Sequence, residues 1–102
     1  MTFKAQPNRF LFEQSPTARA TCRHCKKRIA LHAPRLRIVA FVQPGRTTAF
    51  FRHATAHCIT PTLARAVLAA HQDDPTLVPC ATTMDDAEAA QARAALDVAK
   101  ER

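Results

Sequence analysis

The sequence contains no tryptophan, no tyrosine and a single glycine, Gly45. Six phenylalanines are present, and alanine supplies 21 of the residues that count as hydrophobic. A chain of 102 residues with so few large apolar side chains is expected to form one domain with a thin core, which gains from a disulfide or metal cross-link. The scarcity of glycine also argues against a Gly-rich loop of the kind that holds phosphates.

Long apolar runs are absent as well. No stretch approaches the roughly 20 residues of a membrane-spanning helix, and residues 1–7 show no apolar region typical of a secretory signal peptide. We therefore expect a cytoplasmic protein, associated with the nucleoid in a bacterium or with the nucleus in a eukaryote. In such a compartment thiols stay reduced, and clusters of Cys and His indicate metal sites rather than disulfides.

Acidic residues are scarce in the first 70 positions. That part holds twelve Lys or Arg against one acid, Glu13, for a net charge of +11, whereas residues 71–102 hold three against seven, for −4. This segregation predicts a polyanion-binding surface in the first part and none in the C-terminal tail. It also argues against an enzyme, because a hydrolytic zinc site works with a nearby carboxylate.

The strongest motif is made of cysteine and histidine. Cys22 and Cys25 are separated by two residues, a spacing with which one tight turn can hold a metal ion. About thirty residues further on, a short segment contains His53, His57 and Cys58. These residues can complete the tetrahedral Cys and His set of a structural zinc site.

The residues alone leave the histidine ligand open. His53 and Cys58 are five positions apart, so their side chains converge only on an irregular loop. His53 and His57 have the spacing that brings two side chains together on a helix, but His57 is adjacent to Cys58, and neighbours rarely bind one zinc. Cys80 is left over and is expected to be a partly buried small apolar residue. The remaining histidines are expected in solvent or beside the ligands: His24, His32 and His71.

The apolar pattern predicts an α+β fold with a short antiparallel sheet. Residues 9–14 are expected to form a short strand, and residues 35–52 a hairpin whose turn lies around Gly45. Alternating apolar positions support the first hairpin strand, in which the side that carries Arg37 is expected to be partly exposed to water. Residues 76–78 are expected to form one more short strand.

Two helices are predicted in the C-terminal part. Thr60-Pro61 is typical of a helix start and predicts a helix over about 61–72. A second helix is expected over about 84–100 with Thr83 as its cap, and with acids in its first turn as the helix dipole favours. The domain would then consist of a core over residues 9–80 and an acidic, alanine-rich tail over 81–102.

Residues 15–29, with the sequence SPTARATCRHCKKRI, resemble the opening of the poly(ADP-ribose) polymerase-type zinc finger, a module also found in certain DNA ligases. Two further motifs match: Leu36-Arg37 followed by a hydrophobic strand, and the aromatic-x-His motif Phe51-Arg52-His53 ahead of the last cysteine. The resemblance covers about residues 10–60. It implies one structural zinc ion held by Cys22, Cys25, His53 and Cys58, with four residues between the last two where the family has two.

The resemblance also implies a function. Members of this family bind DNA, often at nicks and ends, through arginines that contact phosphates, and Arg19 and Arg37 match such positions. Neutralising a phosphate releases counterions, so binding of this kind weakens steeply with salt. We therefore expect a zinc-dependent module that binds duplex or damaged DNA. The candidate DNA-binding residues are Arg19, Arg23, Lys26, Lys27, Arg28, Arg35, Arg37 and Arg46.

Two alternatives remain at this point. The first is a zinc-stabilised protein-interaction or regulatory module whose acidic C-terminal helix contacts a partner. The second is a small zinc enzyme, which would need an open metal position beside a carboxylate. If the C-terminal helix covers the basic surface, DNA binding would be autoinhibited, so the position of that helix separates the first alternative from DNA binding.

Overall fold

The structure, a computed structural model, describes residues 8–43 and 45–102. Across these residues the elements are β1 (Arg9–Gln14), β2 (Pro34–Gln43), β3 (Arg46–His53), α1 (Pro61–Ala69), a 3₁₀-helix (Pro75–Leu77) and α2 (Asp86–Lys100). The strands form an antiparallel sheet in the order β1-β2-β3. This arrangement confirms the predicted α+β class with its hairpin and two C-terminal helices.

The two sides of the sheet differ in what they contact. Ile38 pairs with Phe10 on one neighbouring strand and with Phe50 on the other, and this side packs into the main hydrophobic core with the helices. Because side chains alternate along a strand, Arg37 and its pairing partner Phe51 project from the opposite side. Arg37 is exposed there, so the sheet presents a partly charged surface away from the helices.

Helix α1 begins as predicted and ends early. The Thr60 hydroxyl accepts a hydrogen bond from the Leu63 N–H at 3.2 Å and caps the first turn. The helix ends at Ala69 instead of near residue 72 because Gln72 and Asp73 have positive φ angles, 59° and 58°. A left-handed residue after the last turn ends a helix.

The predicted strand over residues 76–78 is wrong. Residues Pro75–Leu77 form a 3₁₀-helix instead. The side chain of Asp74 accepts hydrogen bonds from the N–H of Thr76 at 2.9 Å and from its hydroxyl at 2.7 Å. A capping Asp followed by proline is a helix-start signal, and this signal overrides the β propensity of threonine.

Helix α2 begins two residues later than predicted. Asp85, and not Thr83, is the cap: its carboxylate accepts the Glu88 N–H at 2.7 Å, and the Glu88 carboxylate accepts the Asp85 N–H at 3.3 Å. This reciprocal pair is a capping box. No helix in the described part of the chain is long and apolar enough to cross a membrane.

Helix α2 packs mainly against α1 and the 3₁₀-helix. Its buried positions are three alanines and one leucine: Ala89, Ala92, Leu96 and Ala99. Small side chains allow the two helices to approach closely, so Leu96 is the one large α2 side chain in the main core. The end of α2 is also tied down, because the Arg65 guanidinium donates to the Lys100 carbonyl at 3.1 Å.

We predict that Leu96→Ala lowers the free energy of unfolding by about 2–5 kcal/mol, because it leaves a cavity at a fully buried position. The matched control is Val98→Ala on the same helix, where the side chain is 56% exposed and the expected change is within about 0.5 kcal/mol. Chemical denaturation followed by circular dichroism measures both. Equal effects of the two substitutions would mean that α2 is not part of the core.

Candidate metal centre

Four side chains from three segments meet at one point. Cys22 and Cys25 lie on a turn, His53 is the last residue of β3, and Cys58 lies in the loop before α1. One ligand atom from each lies within 4.8 Å of all the others. The structure therefore brings together the four residues that the resemblance implied.

The turn that carries Cys22 and Cys25 is closed by its own backbone. The Cys22 N–H donates to the Lys27 carbonyl at 2.8 Å, and the Lys26 N–H donates back to the Cys22 carbonyl at 3.0 Å. Lys26 has a φ of 65°, the left-handed conformation that lets the chain reverse so tightly. We call residues 22–27 the knuckle.

The knuckle is attached to the sheet at the edge of β3. Cys22 forms an isolated parallel bridge with Phe51, and the Arg23 N–H donates to the Phe51 carbonyl at 2.7 Å. The His53 N–H points at the Cys22 Sγ at 3.5 Å. Backbone contacts therefore place the first cysteine beside the histidine before any metal is considered.

An irregular loop brings Cys58 to His53, as their spacing of five requires. The Cys58 N–H donates to both the carbonyl and the hydroxyl oxygen of Thr55, at 3.1 and 3.3 Å. The Arg52 guanidinium donates to the Cys58 carbonyl at 3.1 Å. Arg52 thus fixes the loop from the neighbouring strand, a role that the sequence analysis missed because nothing in the local pattern marks it.

The distances in the cluster suit a tetrahedral ion. His53 Nδ1 lies 3.4 Å from the Cys25 Sγ and 3.6 Å from the Cys58 Sγ. Zinc bonds to sulfur and nitrogen at tetrahedral angles would separate S and N by about 3.6 Å. Three thiols and one imidazole are a donor set that zinc takes in structural sites, so the residues present fit one metal ion.

His57 lies outside the cluster. Its side chain is exposed, and its ring makes an edge-to-face contact with the ring of His24, with 5.8 Å between centroids. His53 is the histidine among the four clustered residues, which answers by geometry the choice between His53 and His57.

The cluster lies in a small hydrophobic core of its own. Cys22 is fully buried and Cys58 nearly so, and they pack with Ile29 and with the partly buried Phe51. This second core contains few large side chains, so its apolar contacts alone provide little stabilisation. A metal ion at the cluster would cross-link it.

The pKa values of the Cys22 and Cys58 thiols are shifted in opposite directions. Burial raises the pKa of Cys22, but N–H groups of Cys25, His53 and His24 aimed at its sulfur outweigh burial and lower that pKa to about 6. Burial raises the pKa of Cys58 to about 11. The neighbouring Cys22 sulfur acts in the same direction, whereas the hydrogen bond with Thr55 acts to lower this pKa. Without a cation, Cys22 is therefore the preferred thiolate, and Cys58 keeps its proton.

The prediction that Arg35 contacts DNA is wrong. Its side chain is 7% exposed and donates to Glu13 at 3.2 Å and to the Ser15 hydroxyl at 3.2 Å. The guanidinium also lies 3.9 Å from the centroid of the Phe51 ring. Because the one acid in the basic part of the sequence neutralises it inside the protein, Arg35 supports the sheet beneath the metal cluster and leaves the DNA-binding set.

The other candidate DNA-binding residues are all exposed: Arg19, Arg23, Lys26, Lys27, Arg28, Arg37 and Arg46. Arg9 is not in that set, but it is exposed on the same side of the sheet as Arg37 and lies 5.5 Å from the Phe41 ring centroid. The alternation in β1 could have indicated its exposure.

Cys80 packs against the main core, and burial raises its pKa.

No protein-family model matches the chain, and no curated protein matches its sequence. The resemblance to the poly(ADP-ribose) polymerase-type zinc finger therefore stays a hypothesis.

We predict that the purified protein binds one zinc ion and that Cys58→Ser and His53→Ala each abolish this binding. The matched controls are Cys80→Ser and His57→Ala, which remove the same side-chain types outside the cluster and should leave one zinc bound. Atomic absorption measures the stoichiometry, and cobalt substitution reports thiolate ligands by its charge-transfer absorption. Loss of metal in His57→Ala with retention in His53→Ala would contradict the ligand set.

We also predict that metal binding releases protons. Zinc binds thiolates; at pH 7 Cys22, with a pKa of about 6, is largely ionised, whereas Cys58, with a pKa of about 11, is not. Binding at pH 7 should therefore release at least the Cys58 proton, and the apparent affinity should rise up to about tenfold per pH unit for each proton released. Calorimetry in buffers of different ionisation enthalpy counts the protons, with Cys80→Ser as the unchanged control; zero protons would contradict the assignment.

Proposed function

We propose that this protein is a zinc-dependent DNA-binding module that contacts the phosphate backbone of duplex or damaged DNA, nicked or ended, and that its zinc is structural. The observation that carries the proposal is the set of exposed Lys and Arg side chains on the knuckle beside the Cys and His cluster, on the residues that flank the knuckle, and on the hairpin strands.

The donor set supports a structural zinc. Four protein ligands fill a tetrahedral shell, whereas catalytic zinc sites usually keep one position for water. Glu13, the one acid among the first 70 residues, is paired with Arg35, so it is not placed to serve as a base at the cluster. A binding function therefore suits the site better than catalysis.

The charges around the cluster support a polyanionic partner. In the described part of the chain, the ion pairs join Arg35 to Glu13 and Lys100 to Asp97. The seven exposed candidates thus have no acidic partner within the described residues. Such a field attracts phosphates, and it weakens as salt screens it.

The position of α2 supports DNA binding over an autoinhibited interaction module. Helix α2 packs on α1 and the 3₁₀-helix and contributes to the main core. The cations of the knuckle and Arg37 remain exposed with α2 in place. The acids of α2 therefore do not neutralise the surface that is proposed to contact DNA.

The resemblance to the poly(ADP-ribose) polymerase-type finger also supports the proposal, through the positions of two arginines. Arg19 and Arg37 match positions that contact phosphates in that family, and both are exposed here. The proposal includes membership of that family, a cytoplasmic or nucleoid location, and a preference for nicks or ends.

We predict that the zinc-loaded protein binds labelled duplex and nicked duplex DNA at low salt and that affinity falls steeply as salt rises. Arg37→Ala should weaken binding about tenfold, as expected for one charge-assisted contact, and should reduce the salt slope by about 1. Arg65→Ala on α1 is the matched control, since it removes the same charge from an exposed residue outside the set.

Fluorescence anisotropy with duplex, nicked duplex and single strand at two salt concentrations makes the measurement. Absence of binding to any of the three at low salt would contradict the proposal. An unchanged affinity in Arg37→Ala, with binding otherwise intact, would remove only the role given to Arg37.

A further inference from the structure

Strand β3 is the last strand in the order β1-β2-β3, so one of its two edges faces away from the sheet. Along an antiparallel strand, the backbone groups of alternate residues point toward the partner strand and away from it. The Phe51 carbonyl points away, because it accepts the Arg23 N–H from the knuckle at 2.7 Å. Thr47 and Ala49 alternate with Phe51 along β3, so their N–H and C=O groups point to the same outer edge.

The knuckle pairs with only one part of this edge. Cys22 forms its parallel bridge with Phe51, so the chain itself adds a short extended segment to β3 there. Among the described residues, no backbone hydrogen bond from outside the sheet reaches Thr47 or Ala49, and both residues are exposed. Residues 46–49, which we call the open edge, therefore present unpaired donors and acceptors to solvent, as a strand that accepts another strand does.

The backbone of the open edge distinguishes a peptide from a nucleic acid. Thr47 and Ala49 each present one N–H donor and one C=O acceptor. A phosphate offers acceptor oxygens, which could bind the N–H groups but would leave the carbonyls facing further acceptors. An extended peptide offers donors and acceptors in the same alternation as the edge itself. The edge is therefore matched to a peptide backbone.

The charges beside the open edge lie on one side of β3. Arg46 and Phe50 project to the same side because side chains alternate along a strand, and the Arg23 guanidinium lies 4.2 Å from the centroid of the Phe50 ring. Lys26 joins them around a cavity of about 230 Å³ that Arg23 and Phe50 also line. The other side carries the exposed, uncharged side chains of the edge.

This distribution of charge selects the partner. Within the part of the chain that the structure describes, Arg23, Lys26 and Arg46 form no ion pair with an acid. A strand with Asp or Glu at alternate positions would place its carboxylates on the side of these cations. A second copy of this chain fits less well, because pairing two open edges would bring like charges together.

We propose that the open edge of β3 binds an extended acidic peptide of a partner protein as an added strand. The peptide backbone bonds to Thr47 and Ala49, and its carboxylates lie beside Arg23, Lys26 and Arg46. The proposal goes beyond DNA binding, with which it shares these cations but not the backbone of the edge.

The probe is a fluorescent peptide of about six residues, a usual strand length, in which Glu and Thr alternate. We expect saturable binding to the zinc-loaded protein, measured by fluorescence anisotropy. The control peptide has the same composition with its Glu residues consecutive, and it should bind at least about threefold more weakly, because only part of its charge reaches the cations. N-methylation of the Glu or of the Thr residues should weaken binding in one of the two versions, since alternate N–H groups face β3.

Ala49→Pro tests the edge on the protein. Proline removes the N–H that points outward and leaves the hydrogen bonds to β2 in place, so peptide binding should weaken at least about fivefold. The matched control is Ala87→Pro, the same substitution at an exposed position in the first turn of α2, where proline is tolerated. Zinc content and thermal unfolding measured for both variants show that the fold is intact.

The outcomes separate this proposal from DNA binding. Ala49→Pro keeps every cation and should bind duplex DNA like the original protein, whereas Arg37→Ala should weaken DNA binding and leave peptide binding unchanged. Absence of saturable peptide binding, or equal binding by folded Ala49→Pro, would overturn the proposal even if DNA binds. Equal binding of the alternating, consecutive and both N-methylated peptides would also overturn it, because charge alone would then hold the peptide.

Discussion

The convergence of Cys22, Cys25, His53 and Cys58 is the constraint on which the rest of the molecule depends. It joins a turn, the end of a strand and an irregular loop, three segments that pack together in a small second core. The main core, by contrast, is formed by the sheet and the helices. The protein therefore has two centres of stability, and the smaller one needs a metal cross-link more than the larger one does.

The two centres meet at the sheet. One side of β2 and β3 contributes Ile38 and Phe50 to the main core, and the other side contributes Phe51 to the second core. Arg35 lies beneath Phe51 and is neutralised by Glu13. A buried ion pair contributes little net stability, but breaking one is costly, so this pair acts chiefly by fixing where the second core lies on the sheet.

Local signals in the sequence predicted most of the fold. The alternation in β2 and the Thr60-Pro61 pair depend on neighbouring residues; β2 lies where the alternation predicts it, and α1 begins where the pair predicts it. Residues 76–78 do not form the expected strand, because the capping side chain of Asp74 prevails over the β propensity of these residues. The predicted end of α1 was too late, because nothing in the identity of Gln72 and Asp73 indicates a left-handed backbone.

For the site, the four clustered residues were reached through motif spacing and the resemblance together. Spacing alone could not choose between His53 and His57, because the choice depends on an irregular loop whose shape is set by Thr55 and Arg52. The burial of Arg35 could not be predicted either. Its partner Glu13 lies on another strand, and only the pairing of β1 with β2 brings them together.

Cys22 and Arg23 are neighbours in the chain, and this adjacency has a thermodynamic consequence. One residue holds the proposed metal and the next holds the proposed phosphate, through a backbone that both must order. On these proposals the two ligands are linked, and linkage is reciprocal: if metal raises the affinity for DNA by some factor, DNA raises the affinity for metal by the same factor. The protein would then hold its zinc more tightly while it is engaged than while it is free.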